Sequence, residues 1–221
     1  MSKFNLLIIA WISLSPLFPF NANVSPQPTM QLSQEAAPGL GMFKPDFFNN
    51  HKLGFYGKPN FEKAPDEHVP YDSLLFEKTE TGLNIAYAPP YFVPAIMKLD
   101  YEVLYLRVVS VKRDFYEVVV NEITGQTSYI DKYSGEIFYW PDFLLQVNSV
   151  IQIFPENNPV RTKGLAAASE VNTNYSFLHP ISIKNDWMEV ELLDDSFQRL
   201  ETGWIRWQEC GELLLTFSLF G

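Results

Sequence analysis

The chain is nearly without cysteine. Cys210 is the single thiol in 221 residues, so no disulfide can form within the chain and packing alone must hold the fold. Burial as a small hydrophobe is the expectation for such a residue. Histidine is scarce as well. His51, His68 and His179 lie far apart, and none forms the tight pair with a second ligand that zinc requires. The acidic stretch with Glu189, Glu191, Asp194 and Asp195 lacks the alternation and Gly turn of a calcium loop, so it reads as solvated. No metal and no cofactor is expected. Positive charge is also short, with 16 Lys and Arg against 26 Asp and Glu and a net charge of −10. No basic stripe remains to follow a phosphate backbone, which argues against nucleic acid and against anionic lipid. The G-x-S-x-G elbow and the glycine patterns of nucleotide loops are missing too.

What is present begins at the N-terminus. Lys3 precedes an uncharged apolar run, Phe4 to Leu14, and Pro16 and Pro19 then break any helix. The run is short for a membrane span and has the layout of a secretory signal, taken as residues 1–25. Cleavage after Ala22 or Ser25 predicts export to the periplasm or cell surface, with no transmembrane segment in the mature chain. Nine of the 16 prolines fall between Pro16 and Pro70. Residues 26–73 therefore read as an extended, irregular arm. Its aromatics, among them Phe43, Phe47, Phe48, Phe55, Tyr56 and Phe61, predict that the arm packs onto the domains C-terminal to it.

From residue 74 the pattern becomes β. Short runs of β-branched and aromatic residues alternate with turn signals every 8–12 residues, as in small barrels and sandwiches. Glu102 to Val111 is too continuous in apolar residues for a strand with one wet face. Helical pattern is limited to 142–147 and, more weakly, 164–171.

The chain also repeats itself. Residues 109–118 read V-S-V-K-R-D-F-Y-E-V and residues 181–190 read I-S-I-K-N-D-W-M-E-V. Ser, Lys, Asp, Glu and Val recur in place, Val is exchanged for Ile twice, and Phe115 for Trp187. Each copy is followed by a polar loop and a second aromatic strand, Gly125 to Ile130 in one and Gly203 to Trp207 in the other. A period of 72 residues points to two copies of one small β unit.

These residues resemble the bacterial SH3-like domain. In that family a polar turn with Asp leads into an aromatic strand ending in Val, and a Gly-Trp-Ile or Gly-Trp-Val strand follows a variable loop. The second copy matches at Asp186, Trp187, Val190, Gly203, Trp204 and Ile205. The first departs from it: Phe115 replaces Trp, and Tyr129-Ile130 stands without an adjacent Gly. The resemblance covers about residues 80–220. It implies a mainly β chain with two tandem SH3-like barrels, at 74–147 and 148–221, behind the signal and the arm.

The candidate site residues are aromatic. Trp204 and Trp207 are three apart and should point to opposite faces of a strand, so one of them reaches the surface. Trp187, Trp204, Trp207, Phe115 and Tyr129 are the expected ligand-binding set, forming a barrel-flank groove for an extended peptide or glycan. The resulting reading is a non-enzymatic binding or scaffold module with a peptide, a cell-wall ligand or an envelope protein as partner. One alternative is a structural assembly protein in which those aromatics are buried at interfaces. The other is a small cell-wall hydrolase using Cys210, since cysteine peptidases of that kind travel with SH3-like domains. Cys210 has no basic neighbour in sequence except Arg206, whereas a reactive thiol needs a cation or a helix N-terminus beside it.

Overall fold

The fold is that of a computed structural model, which describes residues 38–80 and 82–220. The expected signal, 1–25, lies outside the described residues. The described chain is mainly β. In order it forms β1 (Gly41–Pro45), β2 (Lys52–Phe55), β3 (Asp72–Thr79), β4 (Gly82–Tyr87), β5 (Ile96–Lys98) and β6 (Val103–Val111). Next come β7 (Phe115–Asn121), β8 (Gln126–Asp131), β9 (Gly135–Tyr139) and a short helix, α1 (Trp140–Leu144). The remainder is β10 (Ser149–Gln152), β11 (Phe177–Lys184), β12 (Trp187–Leu193), β13 (Arg199–Arg206), β14 (Gln208–Glu209), β15 (Glu212–Leu213) and β16 (Leu215–Ser218).

Two antiparallel sheets carry the repeat. The first runs β8-β7-β6-β1-β9, with β5 also on β6, and the second runs β13-β12-β11-β10-β16. The order is the same in both: a three-strand meander, then the strand that precedes it, then the strand that closes the unit. The closed barrels expected at 74–147 and 148–221 are not seen: among the described residues each sheet is an open path of hydrogen-bonded strands. In each copy the aromatic strand pairs antiparallel with the strand after it, Phe115–Asn121 with Gln126–Asp131 and Trp187–Leu193 with Arg199–Arg206.

The repeated decapeptide is a bulged hairpin in both places. Register shifts between Val108 and Ser110 in the first copy and between Pro180 and Ser182 in the second. The extra residues, Val109 and Ile181, are turned outward and are 38% and 39% exposed. Beside each bulge a Ser hydroxyl donates to the Glu across the strands, Ser110 Oγ to Glu117 Oε2 at 2.7 Å and Ser182 Oγ to Glu189 Oε2 at 2.8 Å. This explains why Ser and Glu recur: they brace the point where the ladder is interrupted and the strand bends.

Burial accounts for the difference in strand texture. Trp187 to Leu193 alternates, with Met188, Val190 and Leu192 buried, because the second sheet has one covered face. The first sheet is covered on both. On one side Leu104, Leu106, Val118 and Val120 pack with Leu53, Phe55, Leu74 and Phe76 from a small sheet, β2-β3-β4. On the other, Met42 and Tyr105 pack with Trp140, Phe143 and Leu144 of α1 and with Val150, Leu178 and Phe217 of the second sheet. One apolar cluster thus joins the two units through α1.

Several elements differ from the sequence expectation. Residues 41–45 and 52–55, placed in an irregular arm, are strands, and β1 lies inside the first sheet between β6 and β9. Gly-Met-Phe-Lys-Pro is too short and too unpatterned to announce a strand. It is held by partners on both sides. Residues 164–171 are turns rather than helix. Cys210 is exposed, not buried. It sits with Gly211 in the two-residue turn between β14 and β15, and their φ values are +52° and +83°. A hairpin with two positive φ values aims its central residues at solvent, whatever their hydrophobicity.

Candidate functional site

Strand register gives the correspondence between the two units. Glu117 pairs with Tyr129 and Glu189 with Trp204, so Tyr129 and Trp204 are counterparts. Likewise Phe115 opposite Asp131 corresponds to Trp187 opposite Arg206. The free side of each third strand receives one isolated bridge. Tyr56 and Tyr129 exchange backbone hydrogen bonds of 2.8 and 2.9 Å, and Arg161 and Trp204 exchange bonds of 2.8 and 2.7 Å. Both bridging residues lie in the long connection between the first and second strands of their sheet. Those connections then cross the outer face of the sheet.

In the first unit the crossing segment closes the face. The Phe61 ring meets Phe115 at 6.1 Å and Tyr129 at 5.2 Å between centroids, both edge-on. Tyr56 and His68 reach Phe115 at 5.5 and 5.6 Å, also edge-on. Phe115 is consequently 0% exposed. The segment is internally braced. The Asn60 N–H donates to His68 Nε2 at 3.1 Å, which leaves Nδ1 as the donor toward the Ala64 carbonyl at 2.8 Å. Arg113 Nη1 donates to the Glu62 carbonyl at 3.1 Å. Burial, followed by the negative charges of Asp131 and Asp66, pushes the Tyr56 phenol above its ordinary pKa. The Tyr129 phenol is raised by burial and then by Glu117.

In the second unit the crossing segment is slimmer. A Cβ added at Gly164 would lie 3.0 Å from Trp204 Cε3 and 3.2 Å from the Trp187 Cβ. Glycine is therefore what lets the backbone lie flat on the two tryptophans. A Cβ at Gly203 would overlap Val160, so the glycine of the Gly-Trp-Ile strand serves close packing against the crossing chain. No register shift falls at Gly203; the one in this strand pair lies between Leu192 and Leu193.

Beside Gly164 a pocket of about 270 Å³ opens. Its apolar walls are Trp187, Phe154, Leu214 and Ala166, and its polar groups include Arg161, Arg206 and Glu209. The Arg206 guanidinium lies 5.4 Å from the Trp187 ring centroid and pairs with Glu209. Arg161 donates to the Ala168 carbonyl at 2.7 Å and stands 4.0 Å from Glu170. The floor is rigid. Asn158 accepts from the Arg206 N–H at 2.9 Å and donates to the Arg206 carbonyl at 2.8 Å, and Gln152 donates to the Asn158 carbonyl at 2.9 Å. An apolar slot with two guanidinium groups at its rim can hold an apolar or aromatic body that carries a negative charge.

The five expected site residues do not form one surface. Trp187 lines the pocket. Trp204 is half-buried on the same face, beneath the crossing segment, whereas Trp207 is 4% exposed in the core with Nε1 donating to the Asn185 carbonyl at 2.7 Å. The two tryptophans do face opposite ways, as their spacing requires. Phe115 and Tyr129 are covered by Phe61. Arg161, Arg206 and Ala166 were not singled out as site residues by sequence; the register of β12 on β13 places Arg206, and the bridge of Arg161 to Trp204 places the segment that carries Arg161 and Ala166. Among the described residues no cluster of His, Cys, Asp and Glu is arranged to hold a metal, and no helix is long and apolar enough to cross a membrane. No family model, curated protein or solved structure matches the chain.

Proposed function

We propose that the protein is an exported, non-enzymatic binding module of two tandem SH3-like units, in which the second unit binds a peptide segment of an envelope or wall partner. The carrying observation is the pocket over Trp187 at the position that the first unit fills with its own Phe61. The first unit acts as the closed, structural copy and the second as the open one. The SH3-like reading draws support from the common strand order, the shared Ser–Glu bulge and the equivalent edge bridges. Export rests on Lys3 and the apolar run behind it. The binding reading favours rigid aromatic area, which costs little entropy on association, with guanidinium groups fixing orientation.

The test is retention of the full chain on arrays of short peptides and of cell-wall fragments. Peptides should be retained without turnover, and Trp187→Ala should abolish retention. Equal retention by Trp187→Ala, or conversion of the bound ligand, would overturn the proposal.

A further inference from the structure

The chain itself carries a template for what enters the pocket. Counting from the two equivalent bridge residues, Phe61 is the fifth residue after Tyr56, and Ala166 is the fifth after Arg161. Phe61 covers Phe115 and Tyr129, and Ala166 lines the pocket over Trp187, the counterpart of Phe115. The second unit thus has an aromatic floor that the backbone at Gly164 covers only in part, and it lacks the aromatic side chain that completes the cover in the first. A second difference lies beside it. The residue opposite Phe115 is Asp131, and the residue opposite Trp187 is Arg206, so one register position changes from negative to positive. Arg161 also stands at the rim, and the two guanidiniums pair with Glu209 and Glu170, whose side chains are 55% and 60% exposed, so an incoming carboxylate exchanges with them.

Resting on the binding reading above, we infer that the second unit takes a peptide segment in which an aromatic residue stands next to an acidic one. The aromatic ring fills the place that Ala166 leaves, edge-on to Trp187, as Phe61 does on Phe115. The neighbouring carboxylate meets Arg206 and Arg161. A chain segment is favoured over a small aromatic acid, because the ring that covers Phe115 in the first unit is carried on a chain segment, beside a residue that bears a carboxylate. In that template the residue after Phe61 is Glu62.

The probe is a capped peptide of residues 57–65, Gly-Lys-Pro-Asn-Phe-Glu-Lys-Ala-Pro, titrated calorimetrically into the full chain. Saturable one-to-one binding is expected. Phe61→Ala in the peptide should weaken it at least about tenfold, and Glu62→Gln about three- to tenfold, as for loss of a charge-assisted contact. In the protein, Ala166→Phe should abolish binding by filling the slot, and Ala166→Leu should weaken it by a smaller factor. Both variants are checked for an unchanged urea midpoint or a raised one. In Arg206→Gln the discrimination between the Glu and Gln peptides should fall, the remainder being due to Arg161. Equal affinity of the Glu and Gln peptides for the unaltered protein would overturn the inference, as would undiminished binding to Ala166→Phe. If unrelated peptides bind through Trp187 and this probe does not, the occupant is wrongly identified while the binding module stands. If no peptide binds at all, both fall.

Discussion

Phe61→Ala tests the idea that the first unit is closed by its own chain. Phe61 is half-buried and meets two rings edge-on at 6.1 and 5.2 Å. Full burial of a Phe side chain stabilises by about 1.5–3 kcal/mol. Half burial therefore contributes about 1 kcal/mol, and the two ring contacts add about 1 more. Loss of the ring also uncovers Phe115, which is otherwise 0% exposed. The expected destabilisation is about 2 kcal/mol. With a urea slope of about 2 kcal/mol per molar, the midpoint falls by about 1 M at an unchanged slope. The variant should also gain a second, weaker site for the aromatic–acidic probe, because Asp131 stands where Arg206 would be. A midpoint shift below about 0.3 M would show that Phe61 is not seated against Phe115, and the comparison of the two units would fail with it.

Further outcomes are expected from other parts of the fold. Arg107 and Glu122 form a two-pronged pair at 3.2 and 2.7 Å, with side chains 4% and 15% exposed. Glu122→Gln should cost about 3 kcal/mol in urea unfolding, and a value below about 1 kcal/mol would mean that the pair is solvated. Cys210→Asn should raise stability by about 0.5 kcal/mol, since Asn-Gly suits a turn with two positive φ values. In the unaltered folded protein the same thiol should react stoichiometrically with an alkylating reagent, and protection would contradict its exposed position. Burial foremost holds the Tyr56, Tyr105 and Tyr116 phenols above their ordinary value near 10. The folded state then keeps protons that the unfolded chain releases. This stability is present below pH 10 and is lost as pH rises beyond 10 through the raised values. Phenolate absorbance should show these tyrosines titrating late, and all 11 titrating together near pH 10 would refute the assignment.

The repeat was legible because a bulged hairpin imposes local demands. Ser110, Glu117, Ser182 and Glu189 are each needed within a few residues of one another, so they stand out in one sequence. The run from Glu102 to Val111 likewise signalled two covered faces. β1 was not legible, because its strand character comes from β6 and β9 rather than from its own five residues. The pocket was hidden for a related reason. Phe61 and Ala166 sit in loops with no common pattern, and their equivalence exists only through Tyr56 on Tyr129 and Arg161 on Trp204. Cys210 was misplaced because hydrophobicity was weighed where turn geometry decides. Trp207 was assigned to a binding surface because a tryptophan on a short strand carries no mark of which face is inward.

The position of β1 has a consequence for how the chain comes to be folded. Phe43 finds its neighbour Leu106 roughly 65 residues later, and its other neighbour, Ile137, later still. As synthesis proceeds, Met42 and Phe43 emerge without either flanking strand and must wait for both. The meander β6-β7-β8, built from sequential hairpins, can pair as soon as it appears, and β1 then inserts against an edge already formed. Closure over so long a separation is slow, so the first unit should be the late and fragile step of maturation. During that interval an apolar strand stands open, with both of its hydrogen-bonding edges unpaired.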